Sequence, residues 1–158
     1  MCGIVGYLGN RQATEVLVEG LSKLEYRGYD SAGVAINIGE ELSVRKFKGR
    51  LQVLADDLTA NPINGGLGIG HTRWATHGEP SDVNSHPHFN KEKTIAVVHN
   101  GIIENYLELR EELQKEGYVF LSQTDTEVVA HLVDKFYEGN LLEAVYKATE
   151  KLRGAYAL

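Results

Sequence analysis

The chain has one cysteine, at position 2, directly after Met1. Removal of Met1 would leave Cys2 with a thiol and a free α-amine on the same residue. Such an amine titrates at about 7.7–8.0, so a fraction is unprotonated at neutral pH and can accept the thiol proton. A thiol with a base at hand is an activated nucleophile and needs no separate histidine. The same residue could equally be a small buried side chain at the start of a strand. Asn100-Gly101 follows the apolar run Ile95–Val98. A side-chain amide beside a glycine N–H can aim two donors at one developing alkoxide, although Asn-Gly is also a common turn. Arg73 could grip a carboxylate through two parallel charge-assisted bonds or sit in a surface ion pair. Asp125 could meet an ammonium group or be a first-turn acid favoured by the helix dipole, and Trp74 could be core.

The elements that must position these residues are legible from periodicity. Residues 3–8 form a short apolar run between glycines, expected as a buried strand. Ala13, Val16, Leu17, Gly20, Leu21 and Leu24 repeat with helical spacing. Residues 32–38 and 42–48 read as strands joined by Gly39-Glu40-Glu41, and a short helix over 50–60 ends at Asn61-Pro62. Strands are expected at 67–73 and 94–99, separated by a long polar stretch of the kind that usually has a function. A helix begins near Glu104, and its acids Glu104, Glu108, Glu111 and Glu112 read as a solvated face. Thr124-x-x-Glu127 has the form of a capping box ahead of Val128, Val129, Leu132, Val133 and Phe136. Asn140 and Glu143 open a last helix, and residues 154–158 read as the first half of a strand. The sequence is therefore expected to be an α+β fragment that lacks its last strands.

Composition bounds the partners. The 158 residues carry 16 Lys+Arg against 22 Asp+Glu, a net charge of −6. That balance argues against binding nucleic acid or an anionic membrane, and no apolar run reaches the length of a membrane span. A single cysteine suits a reducing cytoplasm. His86-x-His88 has no Cys or acidic partner at ligand spacing, so no metal site is expected. His71, His99 and His131 lie at apolar edges and read as structural.

Cys2–Gly6, Arg27–Gly33, His71–Glu79, Asn84–His88, His99–Asn105 and Thr124–Glu127 together resemble the glutaminase domains of the class II, N-terminal-nucleophile glutamine amidotransferases. The likeness runs over essentially the whole chain. Cys2 and Asn-Gly fit any member of that class. The runs Arg27-Gly28-Tyr29-Asp30-Ser31-Ala32-Gly33 and His71-Thr72-Arg73-Trp74-Ala75-Thr76-His77-Gly78-Glu79-Pro80 resemble its hexose-phosphate branch, the glutamine–fructose-6-phosphate aminotransferases. The resemblance implies an α/β/β/α sandwich of two antiparallel sheets between helices. It makes Cys2 the nucleophile that forms a γ-glutamyl thioester, and Asn100 and Gly101 the oxyanion pair. Arg73 and Asp125 would hold the α-carboxylate and α-ammonium of glutamine, Trp74, Thr76 and His77 would form further wall, and Arg27 and Gly28 would back the nucleophile. It implies no cofactor, and a sugar-isomerase domain, absent here, that receives the ammonia in an oligomeric full-length enzyme. A non-catalytic amino-acid-binding module, an inactive fragment, or the glutaminase domain of another class II amidotransferase are the alternatives.

Overall fold

Strand register decides which side chains meet in this protein. The computed structural model describes residues 2–75 and 78–158. The elements run β1 (Gly3–Leu8), α1 (Ala13–Ser22), β2 (Ser31–Asn37), β3 (Leu42–Lys48), α2 (Leu51–Ala60), β4 (Leu67–Arg73), β5 (His88–Phe89), β6 (Ala96–Val97), β7 (Asn100–Gly101), α3 (Tyr106–Lys115), α4 (Glu127–Phe136), α5 (Leu141–Thr149) and β8 (Tyr156–Ala157). Four strands pair in the order β1-β4-β2-β3, each pair antiparallel. Val5, Gly70 and Val34 lie side by side across three strands, so they point to one face. That face is apolar and is covered by α1 and α2. Leu17, Leu21 and Leu54 are fully buried there, each stabilising the fold by about 1.5–3 kcal/mol.

The opposite face carries Ile4, His71 and Gly33 in one row and looks onto a second layer. This layer consists of two short antiparallel ladders, β5 with β6 and β7 with β8. Helices α3, α4 and α5 close it with a second apolar core that includes Ile103, Leu113, Val128 and Val133. Ala144 and Ala148, both fully buried, let α5 approach α4 closely. The layering is the expected α/β/β/α, and its middle is polar: His71, Arg73, His86, His88, His99, Asp125 and Glu127 are all buried between the sheets.

Three local expectations change. The strand over 94–99 shrinks to Ala96–Val97, because Asn90 Oδ1 takes the backbone N–H groups of Thr94 and Ile95 at 2.9 and 3.0 Å. The polar stretch before it is not structureless. It contains β5, and Asn84 and Ser85 are buried in it, held by bonds such as Gln123 N–H to Asn84 Oδ1 at 2.9 Å. The capping box does not form either, since α4 opens at Glu127 with Thr126 before it. Glu127 instead accepts from the backbone N–H groups of Leu121 and Ser122 at 2.8 and 2.7 Å, clamping the approach to the helix. The Asn140 cap is as expected, accepting from Glu143 N–H at 3.2 Å.

Candidate active site

Cys2 extends β1 by one residue beyond the Gly3–Thr72 pair, which sets it beside Arg73 at the end of β4. Trp74 then donates its backbone N–H to Cys2 Sγ at 3.2 Å, while the thiol lies 3.5 Å from the Trp74 carbonyl oxygen. Cys2 is half-buried, so its sulfur is both held and reachable. Gly28 backs this corner: a Cβ there would come within 2.8 Å of the Arg73 carbonyl carbon and 3.0 Å of Trp74 N. Arg27, at the end of a 3₁₀ turn, lines one cavity together with Cys2.

Arg73 is 4% exposed, which removes the surface ion-pair reading. Burial lowers its pKa, opposed by the attraction of Asp30, Cys2 and Asp125. One guanidinium N–H reaches Gly78 O at 3.3 Å. Asp125 is also buried and lies before the helix, not in its first turn. Its Oδ2 accepts from Ile103 N–H at 2.8 Å, and Oδ1 lies 4.0 Å from His99 Nδ1. The buried cation and anion line one cavity of about 550 Å³ with Cys2, Arg27, Trp74, Asn100 and Gly101. A buried cation and a buried anion at one cavity suit a zwitterionic ligand, whose carboxylate and ammonium can face them. Trp74 is half exposed at its edge and is not core. Thr76 and His77 lie outside the described residues.

Asn100 and Gly101 enter from the second layer. Asn100 directs its side-chain NH₂ at Cys2 O, 3.2 Å away. Asn100 pairs with Ala157, and Ile102 N–H bonds Ala155 O at 3.1 Å. Gly101 falls between these bonded positions, so its own N–H turns away from β8. Its φ of +121° and the Ala155 carbonyl oxygen, which occupies the place a Cβ would take, exclude any side chain there.

Behind these groups stands a histidine layer. His71 stacks on His86 with ring centres 4.2 Å apart and planes 15° apart. His86 Nδ1 accepts from His99 N–H at 3.2 Å, and Thr126 Oγ1 lies 2.8 Å from His99 Nδ1. His88 Nε2 meets Thr124 Oγ1 at 2.9 Å. Burial pushes His71 down to about 4 and His86 and His88 well below the usual histidine range, so these rings are neutral at pH 7. His131 packs against Phe120 at 4.7 Å, the structural role expected of it. Sequence reasoning missed that His86, His99, Thr124 and Thr126 line the cavity. It also missed Asp30, whose carboxylate takes the N–H of Ala75 and so anchors the chain just after Trp74. The available signal was the polarity of Asp30 inside a glycine-flanked run.

The chain matches the family model described as a glutamine amidotransferase domain over residues 71–158. It is 66% identical over 158 residues to the glutamine–fructose-6-phosphate aminotransferase (isomerizing) of Clostridium acetobutylicum, covering all of this chain and 26% of that protein. The protein of the same name from Clostridium perfringens is 65% identical, with the same coverage. The chain therefore spans about a quarter of the length of these relatives. Among solved structures, the glutamine phosphoribosylpyrophosphate amidotransferase of B. subtilis, complexed with ADP and GMP, superimposes with a TM-score of 0.83 at 28% identity, over 99% of this chain and 34% of that one. The layering is thus that of the N-terminal-nucleophile amidotransferase domains. On its sequence match and its architecture, the chain belongs to the glutamine amidotransferase domain family.

Proposed function

We propose that this chain hydrolyses glutamine to glutamate and ammonia, with Cys2 as nucleophile. The observation that carries this reading is the convergence of the Cys2 thiol, the Asn100 amide, Gly101 and the Arg73–Asp125 pair on one cavity. With Met1 removed, the α-amine of Cys2 takes the thiol proton as sulfur attacks the side-chain amide carbon. Asn100 Nδ2 and Gly101 N–H stabilise the oxygen as it gains charge. The C–N bond then breaks, and the α-ammonium returns its proton to the leaving ammonia. A water, deprotonated by the same amine, attacks the γ-glutamyl thioester and frees glutamate and the thiol. Arg73 and Asp125 hold the α-carboxylate and α-ammonium throughout. Trp74 adds to the wall, with Arg27 and Gly28 behind the nucleophile.

The names of the longer relatives extend the proposal. The chain acts as the glutaminase part of a larger cytoplasmic enzyme whose sugar-isomerase domain uses the ammonia to aminate fructose 6-phosphate, in an oligomer, without nucleic acid or membrane as partner. Among the described residues no helix is long and apolar enough to cross a membrane. The test is ammonia release from glutamine combined with thiol labelling of Cys2. Turnover that labelling abolishes supports the reading. Labelling without any turnover, in protein whose N-terminus is Cys2, marks an amino-acid-binding module and overturns it.

A further inference from the structure

We propose that His71 is a positioning residue for the oxyanion site, fixing which end of the Asn100 amide faces the reacting centre; this rests on the glutaminase reading above. His71 Nε2 lies 3.1 Å from the His99 carbonyl oxygen and 2.8 Å from Asn100 Oδ1. A carbonyl oxygen can only accept, so Nε2 must carry the proton. The Asn100 atom at 2.8 Å must then be an acceptor, which assigns it as oxygen and sends the NH₂ toward Cys2 O and the cavity. The alternatives cost twice. A flipped amide would set N–H against N–H at His71 and oxygen against oxygen at Cys2. The other tautomer would leave a buried Nδ1–H with no acceptor, since Nδ1 has no hydrogen-bond partner among the described residues, and would turn the Nε2 lone pair on a carbonyl. Stacking on His86 keeps the ring plane in place. His71 sits two residues before Arg73 on β4, so one strand carries both the carboxylate-binding cation and the group that aims the oxyanion donor. His71 touches no substrate atom; it acts through Asn100.

The test uses the complete polypeptide that carries this chain, with kcat and KM for glutamine measured by ammonia release. His71→Phe, which removes the donor, should lower kcat about 10- to 100-fold and leave KM within about threefold, since loss of one oxyanion donor costs about 10²–10³ in rate. His71→Gln, which can again present an N–H, should recover most of the rate. In the Asn100→Ala background, His71→Phe should change kcat less than about twofold, because its target is already gone. A normal kcat for His71→Phe, or losses that multiply in the double variant, would overturn the assignment. If His71→Phe does not fold, ¹⁵N spectroscopy of the wild-type ring decides: an Nε2-protonated neutral ring supports it and an Nδ1-protonated ring sinks it. Absence of ammonia release from the wild type would instead count against the glutaminase reading, leaving the tautomer measurement to judge the hydrogen bond by itself.

Discussion

The backbone N–H of Trp74 points at the sulfur of Cys2 from 3.2 Å, so the residue after Arg73, the proposed clamp, also holds the candidate nucleophile. The antiparallel register of β1 and β4 sets the thiol beside Arg73 at one end of the sheet. Cys2→Ala should abolish ammonia release while glutamine still binds, because Arg73 and Asp125 are untouched. Calorimetric titration beside an ammonia assay checks both halves. Retention of a tenth of the activity would remove Cys2 from the mechanism.

The base proposed for that thiol is its own α-amine. Protein with Met1 retained, or with a tag fused ahead of Cys2, should be inactive, since the nitrogen is then an amide without basicity. Trimming to Cys2 should restore turnover, with intact mass reporting the N-terminus. Equal rates for blocked and free forms would assign the base to another group.

The proposed clamp should separate binding from chemistry. Arg73→Lys keeps the charge but loses the planar fork. Asp125→Asn keeps an acceptor for Ile103 N–H, bonded at 2.8 Å in the parent, while removing the anion. Each should raise KM for glutamine about 10- to 100-fold, the scale of a lost charge-assisted bond of about 1.5–3 kcal/mol, with a smaller change in kcat. An analogue lacking the α-carboxylate that binds as well as glutamine would contradict the clamp.

These predictions rest on residues that were mostly legible before the fold was. Short apolar runs and helical spacing point to β1, α1, the β2–β3 hairpin and α4, because the order of apolar residues along the chain is a local property. Cys2, Asn100 and Gly101 stood out by residue type. The polar middle layer was not legible in the same way. His86 and His88 sit in a segment that reads as a solvated loop, and only packing of the second layer against β2 and β4 buries them. Glu127 fits a capping box by spacing, yet the turn before the helix brings the N–H groups of Leu121 and Ser122, six and five positions back, to its carboxylate instead. His71 was readable as structural, but its bond to Asn100, 29 positions away, exists only after β4 and β7 meet.

Two glycines test how tightly the site is built. Gly28→Ala would drive a methyl group into the Arg73–Trp74 peptide and should shift the Trp74 N–H away from Cys2, lowering kcat with a moderate loss of stability. Gly101→Ala combines a φ of +121° with collision against Ala155 O, so it should cost at least about 2 kcal/mol and all measurable turnover. Thermal unfolding and ammonia release on the same samples distinguish them. A fully active, fully stable Gly101→Ala would contradict the described ladder.

Buried histidines should make this fold sensitive to mild acid. Burial holds His71 at about 4 and His86 and His88 well below their ordinary range, whereas in an unfolded chain each titrates near about 6.5. Between those values the unfolded state binds protons that the folded state refuses. Stability is then fully present above about pH 6.5 and falls as pH drops, by about 1.4 kcal/mol per pH unit for each such ring. Glu127 acts later. Burial alone would raise its pKa, but the nearby His131 ring and hydrogen bonds from Leu121 N–H and from the Ser122 N–H and hydroxyl outweigh this and hold it at about 2, so its contribution is lost only as pH falls from about 4.5 toward 2. Urea midpoints measured from pH 8 to 4.5 should therefore be flat above about 6.5 and decline steeply below it, and His71→Gln should remove one ring's share of that slope. A midpoint unchanged from pH 7.5 down to 5 would show that these histidines are already protonated, or accessible to solvent, in the folded protein.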